Sequence, residues 1–141
     1  MYRLAHVALK FLSVWSLLVI CTGCGKSING PQKVIVSGAV TYDGKPIANG
    51  EVRFCPIEGT KGAVSGGPIR DGAYIAQGKG GVPVGKHRVE IQAFRPAKEH
   101  ESNPEGGPVD QYLPAHFNES STLTEEITTE TKKIDFALSS Q

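Results

Sequence analysis

The sequence predicts an all-β domain, two packed antiparallel sheets of about seven short strands forming a β-sandwich, behind an N-terminal export segment. Three observations carry this. After residue 33, apolar side chains recur at every second position and no helical period is sustained. Turn residues return about every 8–12 positions, supplied by 17 Gly and 9 Pro. A length of 141 residues bounds the chain to one domain, and 39% hydrophobic residues are enough to build its core. Charge points to no partner: 15 Lys+Arg oppose 14 Asp+Glu, spread along the chain, which excludes a nucleic-acid-binding arm and an acidic tail.

Taken in order, residues 1–23 carry Arg3 and Lys10 without any acid, then the apolar run from Phe11 to Ile20, then Cys21-Thr22-Gly23-Cys24. A positive start, an apolar centre and a small-residue exit are the parts of a secretory signal peptide. The apolar run is about half of the roughly 20 residues a membrane-spanning helix needs. Thr22-Gly23-Cys24 resembles the end of a bacterial lipoprotein signal, in which the cysteine after two small residues receives the lipid and the chain is cut just before it. The position three before the acceptor is usually Leu in that pattern and is Cys21 here; the alternative is an ordinary signal cut near Gly25. The resemblance implies lipidation at Cys24, two or three acyl chains to hold it stably, and a tether at residues 24–33 whose Gly, Ser, Asn and Pro suit a flexible spacer. It also implies an exported, membrane-anchored protein on the periplasmic side, with Gly25 rather than Asp after the cysteine leaning towards the outer membrane. Gly25-Lys26-Ser27 ends like a phosphate-binding loop, but Ile20 stands where that loop needs its first Gly. Loss of residues 1–23 removes Arg3 and Lys10 and leaves 13 basic against 14 acidic residues. With Cys24 acylated, Cys55 has no partner in its own chain.

The domain is expected over residues 34–141. Val34, Val36 and Val40 share a parity, and Asp43-Gly44 then turns the chain. In 50–56, Val52 and Phe54 face inward while Glu51, Arg53 and Cys55 face outward. Residues 63–69 make a weak strand that Asp71-Gly72 turns into 73–75. Residues 86–94 give the clearest alternation, Val89, Ile91 and Ala93 against Arg88, Glu90 and Gln92, and should be central or nearly so. Strands over 123–129 and 132–138 finish the fold, with Ile134, Phe136 and Leu138 facing the core.

Residues 37–54, SGAVTYDGKPIANGEVRF, resemble the opening of carboxypeptidase regulatory-like domains, which share the prealbumin-like (transthyretin-like) sandwich. Asp71-Gly72-Ala73-Tyr74 and the stretch from Val82 to Ile91 resemble two later strands of it. The whole arrangement, with 112–118 (YLPAHFN) before the next strand, is similar to small single-domain lipoproteins of planctomycete-type bacteria. These motifs are turn residues and alternating apolar positions, so the resemblance implies a fold and says little of function.

No residue set carries a catalytic signature. His87 and Glu90 have an H-x-x-E spacing, but on a strand they point to opposite faces, and in the resembled family this domain is the non-catalytic companion of a peptidase. His100, His116, Tyr112 and Tyr74 have no metal-ligand spacing. Hydroxyisourate hydrolases, enzymes of the prealbumin-like fold, end in Tyr-Arg-Gly-Ser, whereas this chain ends Ala137-Leu138-Ser139-Ser140-Gln141. There is no G-x-S-x-G elbow, and no His lies near Cys55 in sequence to activate its thiol. Asn118-Glu119-Ser120 matches a glycosylation sequon, read as chance in a bacterial chain. No metal or cofactor is expected.

Two features are candidates for partner contact. Cys55 is read as a free thiol at a strand end, with an intermolecular disulfide as the functional alternative. Residues 95–121 lack a strand pattern over a length at which loops are functional or disordered, and Tyr112, Leu113 and Phe117 in its second part either pack on the sandwich or meet a partner. The expected function is that of a lipid-anchored, non-enzymatic binding or structural module of the bacterial envelope, with an envelope protein or glycan as partner. The alternatives are an accessory subunit of a membrane enzyme or transporter and, more remotely, a small hydrolase.

Overall fold

The computed structural model describes residues 30–97 and 109–140; the expected signal peptide and Cys24 lie outside them. The described chain is all-β. Its strands are β1 Lys33–Val34, β2 Val36–Tyr42, β3 Lys45–Pro46, β4 Asn49–Pro56, β5 Ser65–Arg70, β6 Ala73–Ala76, β7 Val82–Pro83, β8 Gly85–Pro96, β9 Val109–Gln111, β10 Thr124–Ile127 and β11 Phe136–Leu138. Seven of them lie on one hydrogen-bonded path, β10-β8-β4-β5-β6-β2-β11; β3 and β9 branch from β2 and β8, and β1 pairs with β7 apart from it.

The path curls. β4 and β5 pair along their whole length from Asn49↔Arg70 to Phe54↔Ser65, whereas β5 and β6 share only two rungs, Ile69↔Tyr74 and Arg70↔Ala73, beside their turn. Past those rungs β5 stays beside β6 without a ladder, a Cβ on Gly67 falling 2.0 Å from the Ile75 carbonyl oxygen, and inward side chains from along the path meet: the Phe54 ring of β4 lies 6.4 Å from those of both Tyr74 of β6 and Phe136 of β11. Alternation explains the core. Val52, Phe54, Val89 and Ile91 are fully buried, Tyr74, Phe136 and Leu138 nearly so, and Ile134 packs against them half-buried. The Asp43-Gly44 and Asp71-Gly72 turns hold both residues at positive φ, 49° and 75° in the first and 48° and 80° in the second. That backbone matches the twist of a tight hairpin, and Asp and Gly are among the residues that adopt it most readily.

Two expectations are corrected. β11 runs parallel to β2, not antiparallel. Five antiparallel steps make β10 and β2 opposite in direction, and the tight turn at 128–131 reverses the chain once more, so β11 arrives aligned with β2. β8, the longest strand at 12 residues, lies inside the path with β10 on one side and β4 on the other. Residues 95–121 are not strandless: β9 pairs with the end of β8, and Ala115–Phe117 form a 3₁₀ turn. All three residues of β9 are exposed, so no alternation announced it.

The last strand is held by more than its ladder. A Cβ on Gly38 would lie 1.7 Å from the Ile134 carbonyl oxygen, so only glycine admits this crossing. Around it, the Tyr74 hydroxyl donates to Ile134 O (2.9 Å), the Ala39 amide to Asp135 Oδ1 (2.7 Å), and the Ser140 amide to Asp43 Oδ1 (2.8 Å).

Candidate functional site

The outward residues of β4, Asn49, Glu51 and Arg53, stand opposite Arg70, Pro68 and Gly66 of β5. Because Gly66 has no side chain and Pro68 only a short ring, the sheet surface sinks there into a groove of about 580 Å³. The far wall is the 3₁₀ turn Gly78–Gly80, fastened to β5 by the Ser65 hydroxyl donating to the Gly78 carbonyl (2.6 Å). Phe94 of β8 stands at the Arg70 end.

Three cations, Arg53, Arg70 and Lys79, line this groove against one carboxylate, Glu51. Arg53 is fixed in place, its Nη1 3.3 Å from Glu90 Oε2 across the β4–β8 ladder, while Arg88 Nη2 reaches Glu90 Oε1 at 2.5 Å. Among the described residues Arg70 and Lys79 make no ion pair. Lys79 sits at φ 53° and ψ 29°, a left-handed backbone that costs a non-glycine residue about 1 kcal/mol or more. Its carbonyl receives the Lys33 ammonium (2.6 Å), so the groove borders the point where the chain enters the fold.

Cys55 lies on the same outer face, half-buried, next to Arg53, Arg88 and Glu90. Burial, then the Glu90 charge, pushes its thiol above the usual range, which keeps it protonated at neutral pH. His87 points the other way, wholly buried with its ring edge on Phe54 and its Nδ1 3.0 Å from Gly85 O. Burial lowers its pKa, so it sits neutral in the core with Nε2 unpartnered among the described residues. His87 and Glu90 are thus on opposite faces.

Leu113 and Phe117 are turned inward, 5% and 7% exposed, and belong to the core. Tyr112 packs half-buried, its ring 6.3 Å from Tyr42, whose other neighbour is Phe117, with the Arg95 guanidinium 5.5 Å from its ring centre. Leu113 and Phe117 thus close one end of the core, while Tyr112 keeps part of its ring at the surface. Tyr74 is occupied by its bond to Ile134, and His116 is exposed against Phe117; His100 lies outside the described residues. Sequence reasoning missed the groove. Its one local signal was Gly66-Gly67-Pro68 within a strand.

Comparison with family models, with curated proteins and with solved structures found no match for this chain.

Proposed function

We propose that this chain is a lipid-anchored, non-enzymatic binding module of the bacterial envelope, a seven-stranded prealbumin-like sandwich that offers the outer face of β4 and β5 to its ligand. The observation that carries the reading is the groove lined by Arg53, Arg70 and Lys79, where three cations border a concave surface. The curled seven-strand path supports the sandwich. The fold starts within a few residues of the proposed tether, at the β1–β7 ladder, which supports a body held close to the membrane by Cys24.

Two labels test this reading. Growth with clickable palmitate should label the chain and Cys24→Ser should abolish the label; a label indifferent to the substitution refutes the anchor. A photo-crosslinking residue at Pro68, on the groove floor, should capture an envelope component that the same probe at the exposed Thr128 does not. Equal capture from both positions refutes the groove as the binding face.

A further inference from the structure

We infer that the groove takes an extended acidic polysaccharide, one bearing carboxylates or sulfate esters; this rests on the groove being the binding face proposed above. Its cations are distributed, not clustered. Arg70 stands opposite Asn49, four residues from Arg53 along β4, so the two arginines spring from backbone positions about 13 Å apart along the groove. Lys79 stands across the floor from Arg53, on the turn packed beside Gly66. Glu51 lies between the ends, opposite the Pro68 ring. A compact anion would engage one end only, whereas a chain carrying charges at intervals engages both.

The position in the sheet decides between sugar and peptide. β4 is hydrogen-bonded on both sides, to β5 and to β8, and the far edge of β5 is taken by β6 at Ile69 and Arg70 and packed against the Ile75 and Gly78 backbone at Gly67 and Gly66, so this face offers no free strand edge to which a peptide could add. Recognition falls to side chains: guanidinium forks for the acid groups, Asn49 and Glu51 for hydroxyls, and the Phe94 ring for the apolar face of a sugar. Arg53 is already oriented by Glu90, so it meets a ligand with its conformational freedom partly spent. The backbone of Lys79 is held by a left-handed turn and by the contact of its carbonyl with Lys33, which fixes where its side chain starts.

The test is affinity electrophoresis of the full chain in detergent, through gels containing dextran sulfate, polygalacturonate, polyglutamate or neutral dextran. One or both acidic polysaccharides should retard the chain, and neutral dextran should not. Retardation by dextran sulfate alone assigns sulfate esters; by polygalacturonate alone, uronates. Arg70→Gln combined with Lys79→Asn, the second keeping a residue that tolerates the left-handed turn, should weaken the interaction about fivefold or more, each exposed pair contributing little singly. Lys45→Gln with Lys132→Gln, exposed cations outside the groove, should change it less than about twofold. Equal weakening by both pairs would mean diffuse charge attraction and would overturn the site. Absence of retardation by either acidic polysaccharide, or equal retardation by polyglutamate, would overturn the ligand class. In either case the Pro68 crosslink separately decides whether the groove binds at all.

Discussion

Replacing Phe54 with alanine tests the inward face of the whole fold. Its ring is fully buried at the centre of an aromatic group, with centroids 6.2 Å from His87 and 6.4 Å from Tyr74 and Phe136. Those partners come from three different strands, β8, β6 and β11, so no single neighbour can move in to fill the space. A buried Phe→Ala change costs about 3–5 kcal/mol, the upper part of that range applying where collapse is resisted. A domain of this size has a total stability of roughly 5–15 kcal/mol. With a urea slope of about 2 kcal/mol/M, the midpoint should fall by about 2 M. Urea unfolding followed by near-ultraviolet circular dichroism reads the shift, with Ile75→Ala as control because Ile75 is 51% exposed on the outer face of β6. A Phe54→Ala midpoint within about 0.3 M of the parent, or an equal shift from Ile75→Ala, would refute the assignment of faces.

Further outcomes follow from other sites. Gly38→Val should destabilise by several kcal/mol, because its side chain collides with the Ile134 carbonyl; protease cleavage near residues 132–138 should appear first, and an unchanged melting temperature would refute the close approach. His87 has a lowered pKa in the fold, so the unfolded chain binds the extra proton more readily; stability is full above about pH 6.5 and declines as pH falls through the folded value. Glu126, whose charge acts to raise the His87 pKa, offsets this only in part; melting curves from pH 8 to 5 should show the decline, and His87→Phe should flatten it. On a non-reducing gel the parent should show a dimer band that Cys55→Ser lacks if the half-buried thiol pairs between chains; identical lanes refute the intermolecular disulfide.

What the sequence made legible was whatever period and turn chemistry encode locally. The alternation in β4 and β8 predicted which residues are buried, and Asp43-Gly44 and Asp71-Gly72 marked the two tight hairpins. The parallel seat of β11 on β2 was not legible, since three residues carry no sign of direction and the pairing spans about a hundred positions. The same holds for the site. Arg53, Arg70 and Lys79 are ordinary surface cations in sequence, and become a group only because Gly66 and Pro68 lower the floor between them. Tyr112, Leu113 and Phe117 read as an ambiguous loop because core residues in a 3₁₀ turn and its approach follow neither the strand nor the helix period.

The parallel docking of β11 has a consequence in time. β2 is among the first segments of the domain to leave a ribosome, yet its outer neighbour arrives last, and the Gly38 backbone waits uncovered until Ile134 reaches it. Closing so long a chain interval is slow, and the interval spans the whole domain. A chain interrupted anywhere before residue 134 retains an open seam beside β2, a ready target for proteases and for strands of other molecules. The seam over Gly38 therefore closes only once residues 134–138 are in place.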